Sequence, residues 1–305
     1  MSLLVVGSVA LDSVETPFGA RDNALGGSAT YFSAAASLLT DVGVVGVIGD
    51  DFPVAELDFL KARKVRLEGL EKVPGRTFRW KGKYGVDLNS AQTLDTQLNV
   101  FEHFDPKLDA WAKSADRIFL GNIHPELQLR VLNQVARPKL VAADTMNFWI
   151  GGERKKLLEL VAKVDVLLVN DGEARELSGE ANVVKAAHAI MKMGPKFVVI
   201  KRGEYGSVLF HGSDAFCAPA FPLHSVLDPT GAGDTFAGGF LGLLDRLDAN
   251  DYSALKQAVV MGSTLASFTV EKFSMDRLRE ISLHDVMARF RSFRHLTHFE
   301  ELGEL

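Results

Sequence analysis

Asp228-Pro229-Thr230-Gly231-Ala232-Gly233-Asp234-Thr235-Phe236-Ala237-Gly238-Gly239-Phe240 reads as a turn that opens into a buried helix, with a carboxylate fixed at the junction. Pro229 and two glycines punctuate the turn. Gly231 and Gly233 lack a Cβ, so both are expected to take unusual dihedrals and to let a ligand approach the backbone. The apolar run from Thr235 to Leu244 continues the helix. The first N–H groups of such a helix have no intrahelical partner, and its dipole adds positive potential, so anions bind there. Asp234 is the odd member, because a carboxylate in an anion site repels phosphate. It fits if it takes a proton from a hydroxyl while the N–H groups of Gly231, Ala232, Gly233 and Asp234 hold the phosphoryl group under attack. An acidic residue in a first helical turn is also ordinary capping chemistry.

Two other phosphate motifs are missing. No GxxxxGK[ST] occurs, which excludes a P-loop. GAGDTF lacks the third glycine of GxGxxG and falls late in the chain, where a dinucleotide fingerprint is not expected.

Outward from this stretch, short apolar runs alternate with helical patterns. Strands are expected at Leu3–Val6, Val42–Ile48, Arg117–Leu120, Leu140–Ala143, Val164–Val169 and Phe197–Ile200. Helices are expected at Ser28–Leu39, Val54–Arg63, Glu126–Val135, Arg154–Val161, Val183–Met193, Thr235–Leu247 and Ala254–Thr269. The alternation argues for a mostly parallel sheet covered on both faces. Leu67–Val100 breaks the rhythm. Around Phe78, Trp80 and Tyr84 apolar and basic residues alternate, as in a half-exposed antiparallel ribbon.

The 305 residues are 47% hydrophobic and 24% charged, enough for one large α/β domain or two small ones. The single Cys217 excludes a disulfide framework and points to a reducing compartment. The net charge of −5, with no dense basic stretch, argues against a nucleic-acid partner. No apolar run reaches membrane-spanning length, and Met1–Gly7 has neither a basic leader nor a cleavage site. A cytoplasmic protein is expected.

The stretch Asp228–Phe240 closely resembles the C-terminal signature of the ribokinase (PfkB) family of carbohydrate and nucleoside kinases. Weaker signals in the expected order extend the resemblance over nearly the whole chain. Gly7-Ser8-Val9-Ala10-Leu11-Asp12 is similar to the strand end where the family places an Asp against substrate hydroxyls, and a carboxylate reads a sugar diol well. Leu25-Gly26-Gly27-Ser28 matches the double glycine before the first helix. Many sugar kinases of the family carry Asn where Tyr31 stands. An aromatic ring there weakens a specific claim for ribose or fructose and permits a flatter or more apolar substrate.

Asn170-Asp171-Gly172-Glu173 matches the family's N-x-x-E element, a pair that organises Mg²⁺ through water together with the phosphates. The same four residues spell a capping box. Lys201-Arg202-Gly203-Glu204-Tyr205-Gly206 resembles the strand and turn that line the nucleotide, with Lys201 reaching either the ATP phosphates or solvent. Asp144, Asn147, Met261, Ser263 and Ser267 are weaker candidates near the ligand edge of the sheet. Asp228 and Thr230 could help hold a monovalent cation such as K⁺, as in some relatives.

The resemblance implies one ribokinase-like domain over residues 1–305: three α/β/α layers, a mostly parallel central sheet and a small β-sheet lid made from segments of about 12–22 and 67–100. It implies an ATP-dependent kinase for a hydroxyl of a small sugar or polyol. Asp234 would be the base, Gly231, Ala232 and Gly233 the anion hole, and Asp12, Gly26, Gly27 and Tyr31 the substrate site. Asn170, Glu173, Lys201, Gly203, Gly206 and Thr230 would serve ATP and Mg²⁺. A homodimer through the lid is the implied assembly. A nucleoside kinase, with Tyr31, Phe78, Trp80 and Tyr84 for base stacking, is the alternative enzyme. A non-catalytic sugar or nucleotide sensor is the alternative of another class, and it would have no need of Asp234.

Overall fold

In the computed structural model of the chain, the structure describes residues 2–298 and 300. Thirteen strands are seen among the described residues: β1 Leu3–Val6, β2 Ala10–Thr16, β3 Gly19–Gly26, β4 Val42–Ile48, β5 Arg66–Lys72, β6 Arg79–Tyr84, β7 Ala91–Gln97, β8 Arg117–Leu120, β9 Leu140–Asp144, β10 Val166–Asn170, β11 Phe197–Lys201, β12 Ser207–His211 and β13 Asp214–Ala218. Nine of them form one sheet in the order β13-β12-β11-β10-β9-β8-β1-β4-β5. From β11 to β5 every neighbouring pair is parallel, and β12 and β13 close one edge as an antiparallel hairpin. β1, β4 and β8 are buried along their whole length, which explains why they read as apolar runs, broken in β8 only by Arg117.

Successive side chains point to opposite faces, so the sheet feeds two cores. On one face Leu3, Val5, Phe119 and Leu168 pack with Phe32, Phe240 and Leu265 of the helices Ser28–Ala36, Ala232–Leu247 and Tyr252–Thr269. On the other, Leu4, Val6, Ile118 and Leu167 pack with Leu129, Leu157 and Ala186 of the helices Pro125–Leu132, Arg154–Val161 and Val183–Met191. The result is the expected three layers.

The remaining strands form a small sheet in the order β3-β2-β6-β7. β2 and β6 run parallel, and the outer pairs are antiparallel. The lid boundaries need correction here. Of the segment 67–100, only β6, β7 and their connection belong to the small sheet, whereas β5 is the edge of the large one, parallel to β4. Its sequence RLEGLEK alternates because an edge strand is half exposed, and that pattern looks the same as a ribbon. The first lid segment runs on to Gly26 rather than ending at residue 22.

One polar knot lies inside. Arg117 has no exposed side-chain surface and ion-pairs with the equally buried Asp245 at 3.3 Å and with Asp248 at 3.2 Å. Its guanidinium also donates to Asn250 Oδ1 at 3.1 and 3.2 Å. The knot ties the C-terminal end of the helix Ala232–Leu247 to the start of β8.

Candidate active site

The helix Ala232–Leu247 begins at Gly231, which sits in the left-handed region at φ 73°. An L side chain disfavours that conformation. A Cβ there would also overlap the ring of Tyr31, a buried side chain of the helix Ser28–Ala36. Tyr31 therefore lies under the anion turn instead of standing open as a substrate contact. Gly233 corrects the sequence reading: it is helical, with no positive φ. What its missing Cβ supplies is room, since that atom would stand 2.9 Å from Lys201 Nζ. The ammonium at the end of β11 thus sits beside the first helical turn.

Asp228 holds the turn from below. Its Oδ1 accepts from the Thr230 N–H at 2.9 Å and its Oδ2 from the Ser274 N–H at 3.1 Å. Burial raises its carboxyl above the usual range, and these hydrogen bonds oppose the rise. Its observed role is to shape the turn.

Asp234 sits in the first turn of the helix. Burial lifts its carboxyl to about 6, against the pull of the Lys201 ammonium and its own backbone N–H. Asp144, at the end of β9, is buried and raised well above the carboxylate range by desolvation, with Asp234 as a further cause. Its Oδ1 has no hydrogen-bond partner. Glu173 is raised too, again mainly by burial, with Lys201 opposing. Three acidic side chains thus feel one ammonium.

Asn170 and Glu173 make a complete capping box. Asn170 Oδ1 accepts from the Glu173 N–H at 2.8 Å, and Glu173 Oε2 accepts from the Asn170 N–H at 2.7 Å. The cap explains one carboxylate oxygen, while the charge environment places the same group near Lys201 and Asp234. The two roles separate by experiment. Glu173→Gln keeps a capping acceptor but loses the charge. It is expected to raise the Mg²⁺ concentration for half-maximal rate, with Tm no lower than that of wild type. An unmoved Mg²⁺ titration would leave Glu173 as a cap alone.

Across the turn lies a second group. Asp12, on β2, is buried, and desolvation raises it to about 7, helped by Asp228 and Asp234 and opposed by the Gly27 N–H. A Cβ at Gly26 would overlap the Asp12 carboxylate, and Gly27 sits at φ 94° where a Cβ would overlap the Ser8 carbonyl. Ser8 and Ser28 lock this corner, each hydroxyl accepting from the other's backbone N–H at 3.0 and 3.1 Å. The Tyr31 phenol feels Asp228, Asp12, Tyr84 and Asp234, and with burial as the main cause its pKa rises well above that of a free tyrosine.

The lid aromatics part company. Phe78 packs on Phe101, with ring centroids 5.4 Å apart, as part of a core. Trp80 lies over Gly82 of its own strand and donates from Nε1 to Thr93 Oγ1 at 3.2 Å. Tyr84 alone reaches the anion turn, where its hydroxyl accepts from Thr230 Oγ1 at 3.3 Å. Thr230 is thereby engaged by the lid.

Other candidates are absorbed by structure. Gly206, at φ 80°, packs against the backbone of Ala218 and Pro219 and closes the turn after β11. Asn147 donates to Glu176 at 2.8 Å. Met261 is core, and Ser267 donates to the Thr264 carbonyl and accepts from Arg289. Ser263 is buried in the same helix. Cys217 is exposed on β13. Among the described residues no group of three or more His, Cys, Asp and Glu side chains converges as a ready metal-ligand set.

A family profile described as pfkB family carbohydrate kinase matches residues 5–280. Among curated proteins, the cytidine kinase of Thermococcus kodakarensis is 32% identical over 255 residues, covering 79% of this chain and 87% of that enzyme. The ATP-dependent ribose-1-phosphate kinase of Halopiger xanaduensis is 30% identical over 225 residues, covering 71% and 72%. Among solved structures, a nucleoside kinase of Burkholderia thailandensis in complex with inosine superposes with a TM-score of 0.76 at 20% identity, over 95% of this chain and 98% of that one.

Proposed function

Since the chain belongs to the pfkB family of carbohydrate kinases, and is therefore a phosphotransferase with an alcohol group as acceptor, we propose that it moves the γ-phosphoryl group of ATP to a hydroxyl of a small sugar or polyol with Asp234 as the base. One observation carries the reading: a carboxyl held at about 6 sits in the first turn of a helix that opens on the left-handed Gly231, beside the Lys201 ammonium. A base with that affinity is ionised at neutral pH and can accept a hydroxyl proton. The N–H groups of Gly231, Gly233 and Asp234 hold charge on the equatorial oxygens, the Ala232 N–H already donating to the Pro229 carbonyl at 3.2 Å, and Lys201 adds a positive charge beside them. Asp12 accepts from the acceptor's neighbouring hydroxyls. Closure of the small sheet excludes water.

The residues fit ATP with Mg²⁺. The unpartnered Asp144 Oδ1 and the raised Glu173 carboxyl suit the water ligands of a hydrated cation. When bound, Mg²⁺ neutralises phosphate charge. Because both Asp228 oxygens already accept from backbone N–H groups, a K⁺ near this turn would take its ligands mainly from carbonyls.

A specific observation favours nucleosides as the second reading. Tyr84 of the small sheet brings an aromatic side chain to Thr230 in the anion turn, and the cytidine kinase of T. kodakarensis is a relative over most of its length. A homodimer through the lid belongs to the same proposal, since β7 is exposed along all seven residues at the edge of the small sheet. Sedimentation tests it. No helix among the described residues is long and apolar enough to cross a membrane. A cytoplasmic location suits the exposed Cys217 thiol.

The deciding experiment is ADP release with MgATP over a panel of pentoses, hexoses, polyols and nucleosides. Release with a sugar or polyol supports the first reading, and release only with nucleosides selects the second. Tight binding of a panel member with no ADP release from any would point to the sensor instead.

A further inference from the structure

The connection between β6 and β7 reaches two separate places. At its start, Tyr84 meets Thr230 in the anion turn. Five residues on, Asn89 meets Gly203: an ideal Cβ on Gly203 would stand 2.5 Å from Asn89 Oδ1. Gly203 follows β11, two residues after Lys201, which lies beside the first turn of the helix Ala232–Leu247. The acceptor group, Asp12, Gly26 and Gly27, belongs to β2, β3 and the start of the helix Ser28–Ala36. In-line transfer puts donor and acceptor on opposite sides of the phosphoryl group. The connection therefore touches the cradle at one end and the donor side at the other.

Its backbone is built to do so. The Leu88 N–H closes a turn on the Gly85 carbonyl at 3.2 Å, and Leu88 sits at φ 55°, a left-handed conformation that a leucine disfavours. Such a conformation persists where its surroundings enforce it. Tyr84 remains protonated, with burial raising it to about 12, so its hydroxyl keeps a hydrogen to donate.

We propose that Tyr84–Asn89 is a two-ended latch that couples closure of the small sheet to the nucleotide: Tyr84 is a positioning residue that steadies the anion turn through Thr230, while Asn89 seats in the notch left by Gly203 and contacts the donor's phosphates. The proposal rests on the kinase reading above, and the test separates the two. Asn89 is exposed, so Asn89→Ala leaves the fold intact. Titration of the full-length protein with a non-hydrolysable ATP analogue and Mg²⁺ is expected to show a Kd raised roughly 3–10-fold, the worth of one hydrogen bond. Tyr84→Phe should release the other end and weaken binding of the analogue similarly. Either cut opens the same latch, so the double variant should be no weaker than the weaker single one. Acceptor-free ADP release should rise in all three variants as water gains entry. Kd values within twofold of wild type, or additive effects in the double variant, would overturn the latch while leaving the kinase intact. A wild-type protein that binds no analogue and transfers to no acceptor would instead remove the kinase reading, and the latch with it.

Discussion

Asp234→Asn is expected to lower kcat by roughly 10²–10⁴ while ATP-analogue binding persists, and to raise Tm at the same time. The first effect removes the proton acceptor from the anion turn. The second follows from the direction of the shift. The Asp234 carboxyl is raised from 3.8 to about 6, so the folded state favours its protonated form. Keeping it ionised above pH 6 costs stability, and that cost fades as pH falls through 6. The Asn variant has no such cost. Its Tm should exceed that of wild type by a few degrees at pH 8, with the gap narrowing below about pH 6 and closing only below 3.8. Wild-type kcat should fall on the acid side of about pH 6, and kcat/KM should begin to fall nearer 7, where Asp12 gains its proton. Turnover by Asp234→Asn within a few-fold of wild type, in a folded protein, would remove Asp234 from the base role.

Gly231→Ala should damage both stability and turnover. Left-handed backbone costs an alanine about 1–2 kcal/mol, and forcing a methyl into a packed site adds about 1–3 kcal/mol. The atom it meets is the ring of Tyr31, which is buried and has no solvent to retreat into. Any relief by backbone movement displaces the N–H groups that face the phosphoryl group, so kcat should drop by at least 10²-fold together with Tm. Gly233→Ala is the control. Its methyl meets only the tip of Lys201, which can swing aside, so Tm should stay near wild type while ATP KM rises. Adding Tyr31→Ala to Gly231→Ala should recover part of the lost stability by removing the clash, but not the backbone cost. Equal Tm values for Gly231→Ala and Gly233→Ala would show that Tyr31 does not support the turn.

The difference between those two glycines marks where sequence reasoning stops. GAGD announces a helix start at an anion site, but it does not say which glycine carries the positive φ. That depends on Tyr31, two hundred residues earlier in the chain. The large sheet was legible because strands buried on both faces must be apolar throughout, as in VGVVGVI. β5 was misplaced because an edge strand and a ribbon leave the same alternating trace. β12 and β13 were missed as a short hairpin, partly exposed, at the opposite edge. Asp144 carried little signal of its own, since an acidic residue at a strand end is common. Only its unpartnered oxygen and its neighbours Asp234 and Lys201 draw it into the site. The Tyr84–Thr230 contact spans 146 positions and leaves no local pattern. Asn170 and Glu173 show the converse: the spacing was plain, and the capping box is what the structure contains.

The interior arginine has a mechanical meaning for the far end of its helix. Arg117 clamps Asp245 and Asp248, while Gly231 to Asp234 form the opposite terminus of the same 16-residue rod. At 1.5 Å per residue, the clamp and the anion turn lie roughly 20 Å apart. Thr269 Oγ1 donates to Thr235 Oγ1 at 2.9 Å, bolting the near end as well. A rod fixed at both ends cannot slide or pivot when a highly charged nucleotide arrives. Its dipoles are aimed during folding rather than during each turnover, so little reorientation is left for the chemical step. Any closing movement over this turn would therefore fall to the small sheet, against a helix fastened at both ends.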